Sequence, residues 1–398
     1  MIVDWLFALH TGVMMKKNNF NPPTPVESYF LQRSKLQFRY DPDEKIPVVQ
    51  VNNFPSLGQL TALRFLEWVQ THPEGVVSLP TGKTPEYFIR YVEHYLSKWE
   101  QTETQTFMEQ VGINQSVKPK LKHLQFVQID EFFPIPPSQH NSFYDYVMKY
   151  YIHGFGINLD RAQLIDATTI NYPLGKTFQE IFPDLVVDLS LRFSQPKSGL
   201  GRLQKEAIER VDEYCTDYER RIREKGGIGF FLGGIGPDGH IAFNVRGSDY
   251  FSTTRLTPTN FETQAAAAAD LGGIEVSQKR LVITIGLQTI TYNPDASCLI
   301  FAAGEAKAKI VAAAVQEPAA NIHPAGALHS MPNARFYITS GAAVFLDRRE
   351  VQALNDSPVV SENLVDQHMI TLAMRTGKAI QKITEELVAE QVVPATAL

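Results

Sequence analysis

Cysteine is scarce in this chain, with only Cys215 and Cys298 present. The first lies in a segment of helical pattern and the second in a strand-like apolar run. Two thiols so placed offer neither a disulfide framework nor a CxxC metal pair, and they predict a reducing compartment, the cytoplasm. Long hydrophobic runs are also missing. The N-terminal stretch Ile2 to His10 is apolar but contains Asp4 and has no basic residues before it, which argues against a signal peptide. It falls well short of the roughly 20 apolar residues a membrane helix needs, and no later segment reaches that length. The sequence therefore predicts a soluble protein without a membrane partner. Positive charge is not in excess either. Lys and Arg number 37 against 43 Asp and Glu, a formal net charge of −6. No overall basic field attracts nucleic acid, so an anionic ligand has to be caught locally.

What is present suits a globular enzyme. The 398 residues are 44% hydrophobic and 20% charged, enough to bury a large core. Residues 1–45 read as an N-terminal extension, because Asn21-Pro22-Pro23-Thr24-Pro25 favours extended or turn backbone. A packed domain is expected over 46–346, with polar inserts near 99–117 and 168–203, followed by a tail over 347–398 of helical pattern from Glu362 to Val388. Strand-length apolar runs occur at Val76–Leu79, Leu124–Ile129, Ile228–Leu232, Leu281–Ile285 and Cys298–Phe301, alternating with helix-length amphipathic stretches. This rhythm predicts an α/β fold: a three-layer, Rossmann-like, mostly parallel sheet with helices on both faces.

Three motifs carry chemistry. Ile228 to Leu232 runs into the glycine-dense turn Gly233-Gly234-Ile235-Gly236-Pro237-Asp238-Gly239-His240-Ile241-Ala242-Phe243-Asn244. At a strand's carboxyl end, glycines let a ligand approach the main chain. Asp238 there can orient the imidazole of His240 for proton transfer. The same glycines satisfy GxGxxG, but Gly247 follows too soon for the helix a dinucleotide site requires. The second motif, Phe126 to Phe133, places Asp130 and Glu131 side by side at a strand end. Successive strand side chains face opposite ways, so one carboxylate can serve as a base while the other points elsewhere. The third, Ser78-Leu79-Pro80-Thr81-Gly82-Lys83-Thr84-Pro85, is a strand, a glycine turn and a helix start, which suits a phosphate. It is not a nucleotide loop, since GxxxxGKT needs glycine where Val77 stands. Each motif alone also admits a structural role as a turn or helix cap.

Taken together and in order, the motifs resemble the glucosamine-6-phosphate deaminase (isomerase) family, within the wider group that includes 6-phosphogluconolactonases. The resemblance runs from about Ile46 to Leu346. It rests on Asp130-Glu131-Phe132, His140-Asn141-Ser142-Phe143-Tyr144 and the Gly-Pro-Asp-Gly-His-Ile-Ala-Phe-Asn run. Pro80 to Pro85, Thr284 to Thr289 and Gly304-Glu305-Ala306-Lys307-Ala308 support it. The resemblance implies that Asp130 moves a proton between C2 and C1 of an open-chain amino-sugar 6-phosphate. It implies further that His240, oriented by Asp238, opens the ring, and that Thr81, Gly82, Lys83, Thr84 and Lys307 hold the phosphate. The products implied are fructose 6-phosphate and ammonia. No organic cofactor and no metal is implied, and assembly into a homo-oligomer is compatible with it.

Two positions depart from the family pattern. A glutamate that completes a triad with the Asp and His is replaced by Val245, and a phosphate-binding arginine of a mobile lid by Ala269. Lys83, where the family commonly has a small residue, is a candidate replacement for that lost charge. Arg255 and Ser248 match positions where some relatives bind an effector, but Thr257 stands where those relatives have lysine. Alternatives are therefore a 6-phosphogluconolactonase-like hydrolase, which does not need the missing glutamate, and a non-catalytic sugar-phosphate binder.

Overall fold

The computed structural model describes residues 20–346 apart from 272, 274–276 and 278, and beyond them 348–349, 365–366, 369–370, 372–373 and 376–384. The apolar run Ile2 to His10 and most of the expected tail helix lie outside the described residues. Seven strands form the main sheet: β1 (Val48–Val51), β2 (Val76–Ser78), β3 (Gln125–Val127), β5 (Ala162–Gln163), β6 (Phe230–Gly234), β9 (Ser297–Ala302) and β10 (Arg335–Thr339). Their order is β1-β10-β9-β6-β2-β3-β5, and every pair is parallel. Parallel strands need crossover connections, and helices supply them on both faces.

The two faces explain the unbroken apolar runs. Along β6, Phe231 packs into one buried cluster with Cys298, Ile300, Phe336 and Ile338. Its neighbours Phe230 and Leu232 join Leu299, Phe301 and Tyr337 in the other. Successive side chains of a strand point to opposite faces, so a strand covered on both must be apolar throughout. All six positions of β9 and all five of β10 are buried.

A second sheet holds β4 (Asp130–Phe133), β8 (Leu281–Thr284) and β7 (Arg255–Pro258), in the order β4-β8-β7 and antiparallel throughout. This corrects one expectation. The Leu281–Ile285 run is a strand, but it belongs to the small sheet, because an apolar run signals burial and carries no information about direction. The Leu124–Ile129 run is likewise shorter than expected. β3 ends at Val127, and the chain bends at Gln128 and Ile129 to enter β4. β1 and β10 lacked a clear signal, since β10 begins and ends with polar residues, Arg335 and Thr339.

Segments flanking the expected domain are tied to it by buried charge. The helix Pro25–Ser34 starts with a capping box between Thr24 and Glu27. Glu27 is buried and accepts from Arg335 Nε at 3.2 Å and from Tyr337 Oη at 2.6 Å, both on β10. Near the other end, Arg349 makes a two-pronged pair with Glu44 at 2.6 and 2.7 Å. The inserts also contribute to the cores: Trp99, Met108, Val111 and Ile113 to one cluster, and Ile170, Ile181, Phe182 and Val187 to the other. Among the described residues no helix is long and apolar enough to cross a membrane.

Glu27 and Arg335 are 1% and 3% exposed, so removing one leaves an uncompensated buried charge. Glu27→Ala is expected to lower unfolding stability by about 3–5 kcal/mol. A urea melt with an unchanged midpoint would show that the helix Pro25–Ser34 contributes little to the domain.

Candidate active site

Strand order reverses between β6 and β2: β2, β3 and β5 run outward on one side, β6, β9 and β10 on the other. In open α/β sheets such a reversal leaves a crevice beyond the carboxyl ends of the strands. The loops carrying the sequence motifs leave the sheet there. The 79–85 segment follows β2, the 235–244 turn follows β6, and Asp130 lies just past β3.

The 235–244 turn presents one imidazole. Gly236 N donates to His240 O at 2.8 Å, and Gly239 takes φ +90°, a conformation that favours glycine. The ring of His240 lies directly over Gly236, where an added Cβ would come within 2.0 Å of it. On the other side it stacks with Phe243, centroids 5.7 Å apart. His240 Nδ1 and Asp238 Oδ1 are 2.5 Å apart. A carboxylate accepts, so this contact sets the proton on Nδ1 and leaves Nε2 as the reactive nitrogen. Burial works against ionising Asp238, yet the hydrogen bond and charge of His240 outweigh it and hold the carboxyl below its usual value. Lys307 Nζ donates to Ile235 O at 2.7 Å, which fixes its cation beside the turn. Burial pulls the Lys307 pKa down, and the Asp238 charge opposes that.

The adjacent carboxylates have separate fates. Glu131 accepts from the backbone N–H groups of Phe132 (2.9 Å), Phe143 (3.0 Å) and Tyr144 (2.7 Å), and so anchors the start of the helix Phe143–Val147. Burial pushes its pKa up to about 7 even against those donors. Asp130 is buried as well, yet among the described residues no donor reaches its carboxylate. Burial first, and then the charge of Glu131, raise its pKa well above the ordinary range. A buried carboxylate without donors is a stronger base than one in water, which suits proton abstraction.

Residues with no assigned role in the sequence motifs hold this arrangement. Gln128 is fully buried; its amide nitrogen donates to Asp130 O at 2.9 Å while its oxygen accepts from Ile165 N at 2.9 Å. It clamps the bend that carries Asp130. Thr284 pairs with Asp130 across β4 and β8, and its hydroxyl accepts from Phe243 N at 3.1 Å, linking the two halves of the site. Gln128 and Thr284 fall within the motifs above, which attach no role to either, and Arg246 lies outside them. Arg246 Nε donates to Asp238 O at 2.9 Å.

The phosphate-loop candidates are open to solvent. Gly82 takes φ +85° with no atom within 4 Å of an added Cβ, and Gly82, Lys83 and Thr84 are exposed while Thr81 is half-buried. The helix Glu86–Ser97 begins here with Pro85 as N-cap and no side-chain cap, so no hydroxyl of the loop is used up in capping. Lys307 lies on the turn after β9. Thus Asp238, His240 and Lys307 are in one cluster, whereas among the described residues no hydrogen bond joins Asp130 or the 81–84 loop to them. Val245 is half-buried, and among the described residues no carboxylate other than Asp238 bonds His240. The exposed Asp249 uses its own carboxylate to accept from Phe251 N at 2.8 Å. Ala269 falls in the helix Phe261–Leu271, its side chain outside those described. Arg255 donates to Asn244 Oδ1 at 2.9 Å and Ser248 Oγ at 3.3 Å.

Comparison with known proteins finds relatives of one kind. No protein-family model matches the chain. Glucosamine-6-phosphate deaminase 2 of Xenopus laevis is 34% identical over 152 residues, 38% of this chain and 54% of the relative. Glucosamine-6-phosphate deaminase of Shouchella clausii is 26% identical over 286 residues, 72% of this chain and 92% of the relative. The chain is thus similar to glucosamine-6-phosphate deaminases over these spans. It spans about half of the Xenopus relative's length. The solved structure of a monomeric glucosamine-6-phosphate deaminase superposes with a TM-score of 0.55 at 22% identity, covering 74% of this chain and 98% of that one. That likeness establishes a shared α/β fold.

The raised pKa of Asp130 has a consequence for stability. Its folded value lies above the unfolded one of about 3.9, so the folded state holds the proton more tightly. The stability this confers is complete below about pH 4 and is lost as pH rises through the folded pKa. Asp130→Asn keeps the shape and removes the charge. The variant is expected to melt at a higher temperature than the parent at pH 8 and at the same temperature near pH 4. Equal melting temperatures at both pH values would contradict a desolvated Asp130.

Proposed function

We propose that this chain is an isomerising deaminase that converts an amino-sugar 6-phosphate to fructose 6-phosphate and ammonia. The observation that carries the reading is the bare, buried carboxylate of Asp130 at the same sheet edge as the Asp238-held imidazole of His240. In this reading His240 Nε2 takes the proton of the C1 hydroxyl and delivers it to the ring oxygen as the bond from C1 to that oxygen breaks, and the pyranose opens to the aldehyde. Asp130 then takes the proton from C2 and returns it at C1, which leaves an imine at C2; a water molecule adds to that carbon, the C–N bond breaks, and the amine departs as ammonia to leave the C2 ketone. Thr81, Gly82, Thr84 and Lys307 hold the 6-phosphate, with Lys83 supplying the charge absent at Ala269 as a point cation rather than a guanidinium fork. The activity resides in residues 46–346, with 1–45 and 347–398 as flanks. The buried free thiols of Cys215 and Cys298 fit a cytoplasmic setting.

One observation favours a second reading. Among the described residues the only carboxylate on His240 is Asp238, and this pair alone suffices for a base that activates water, as lactone hydrolysis of a 6-phosphogluconolactonase-like enzyme requires. Under the deaminase reading, Val245 removes an acid-base group and slows ring opening in particular.

Parallel assays of ammonia release and lactone hydrolysis separate these readings, and a non-catalytic binder fails both while still binding sugar phosphate. Asp130→Asn is expected to reduce deamination by roughly two orders of magnitude or more. Val245→Glu is expected to raise it about tenfold, equivalent to about 1.4 kcal/mol off the barrier, with no gain in lactone hydrolysis. Deuterium exchange at C2 that persists at the parent rate in Asp130→Asn would remove the base from its role. A correctly folded Val245→Glu with unchanged deamination would sink the missing-acid account.

A further inference from the structure

The opposite edge of the sheet carries a second concentration of charge unrelated to the site above. Beside β3 and β5, a cavity of about 320 Å³ is lined by Gln125, Asp160, Arg161, Gln163, Arg221 and Lys225. Three cations converge on it and Asp160 is the single acid in its wall. Their own partners are thin. Arg161 reaches the mostly exposed Glu74 at 3.8 Å, and Arg221 meets Asp217 at 3.1 Å, a carboxylate also taken by Arg220. Among the described residues Lys225 makes no ion pair; its Nζ donates to Gln163 Oε1 at 2.8 Å and Arg221 O at 3.3 Å. The Nε of Arg161 is buried without an acceptor, whereas Arg221 uses its Nε on Asp217 and keeps the rest of its guanidinium for the cavity.

Buried cationic donors without acceptors are costly, and a ligand that supplies acceptors relieves the cost. Guanidinium groups match the oxygens of a phosphate, and a lysine adds a movable point charge. The volume lies at the lower end of small-molecule sites, about 300–1,000 Å³, which suits one phosphate with at most a small organic group. Burial, together with the charge of Arg221, pulls the Lys225 pKa down, and a bound anion would reverse that.

We propose that this cavity is an anion site, separate from the catalytic edge, that takes a small phosphate: the free ion or a compact phosphomonoester. Phosphate on the cavity side of Arg161, Arg221 and Lys225 accepts their free N–H groups, and Gln163, already in place, orients Lys225.

Calorimetric titration of the full chain with inorganic phosphate and, separately, with glycerol 3-phosphate tests the site. The Arg161→Gln/Lys225→Gln variant is expected to bind one fewer equivalent than the parent, or to bind it roughly tenfold more weakly or worse. Lys225→Arg, which retains the charge, is expected to keep the site. Tighter binding of glycerol 3-phosphate identifies an organic phosphate as occupant, and tighter or equal binding of inorganic phosphate identifies the free ion. The stoichiometric comparison does not depend on whether the catalytic edge binds phosphate. Equal stoichiometry and affinity in the parent and a folded double variant would overturn the proposal. If the double variant does not fold, loss of the site in Lys225→Arg, or a parent that binds neither probe, would do the same.

Discussion

Taking a carboxylate out of water without giving it donors is unfavourable, and a fold tolerates it only where the surrounding structure holds it in place. Asp130 is in that position. The bend after β3 turns its side chain off the main sheet, and β4 pairs with β8 so that Asp130 lies opposite Thr284. Gln128 locks the bend through the Asp130 carbonyl and Ile165 N–H. Glu131 takes the three backbone donors of the neighbourhood. The consequence is division of labour between adjacent acids: one is satisfied and structural, the other is left bare and basic.

The other half of the site obeys the same logic with a different group. His240 is held by close approach to Gly236, by stacking with Phe243 and by the contact with Asp238, so its free Nε2 points from a rigid turn. Thr284 bridges the two halves through Phe243 N. Val245 leaves His240 with a single carboxylate partner, and the nearby charged groups, Lys307 and Arg246, are cations bonded to backbone carbonyls of the turn. Relative to an acid at position 245, the electrostatic environment of the imidazole is shifted toward positive.

Much of this was legible in the sequence for identifiable reasons. Strands buried on both faces must be continuously apolar, which exposed β2, β6 and β9. Dense glycine next to Asp238 and His240 marks backbone that no other residue can follow, and Gly236 and Gly239 need their glycine identity for the two reasons given above. Direction was not legible, because Leu281 to Thr284 look the same in a parallel or an antiparallel sheet. Nor was Gln128: a glutamine between apolar residues reads as an ordinary strand position until the bend brings the Asp130 carbonyl to its amide nitrogen and the fold brings Ile165, 37 positions away, to its oxygen. The buried Glu27–Arg335 pair escaped notice because its members are separated by 308 positions.

Asp130, largely withdrawn from water and without a donor among the described residues, holds its proton more tightly than an ordinary aspartate. Its carboxyl ¹³C resonance, assigned by its disappearance in Asp130→Asn and followed from pH 3 to 9, reports this directly. A midpoint well above the usual aspartate value of about 3.9 is the result the structure predicts. A midpoint at or below that value would mean that donors or water reach the carboxylate, and the account of Asp130 as the base would fail.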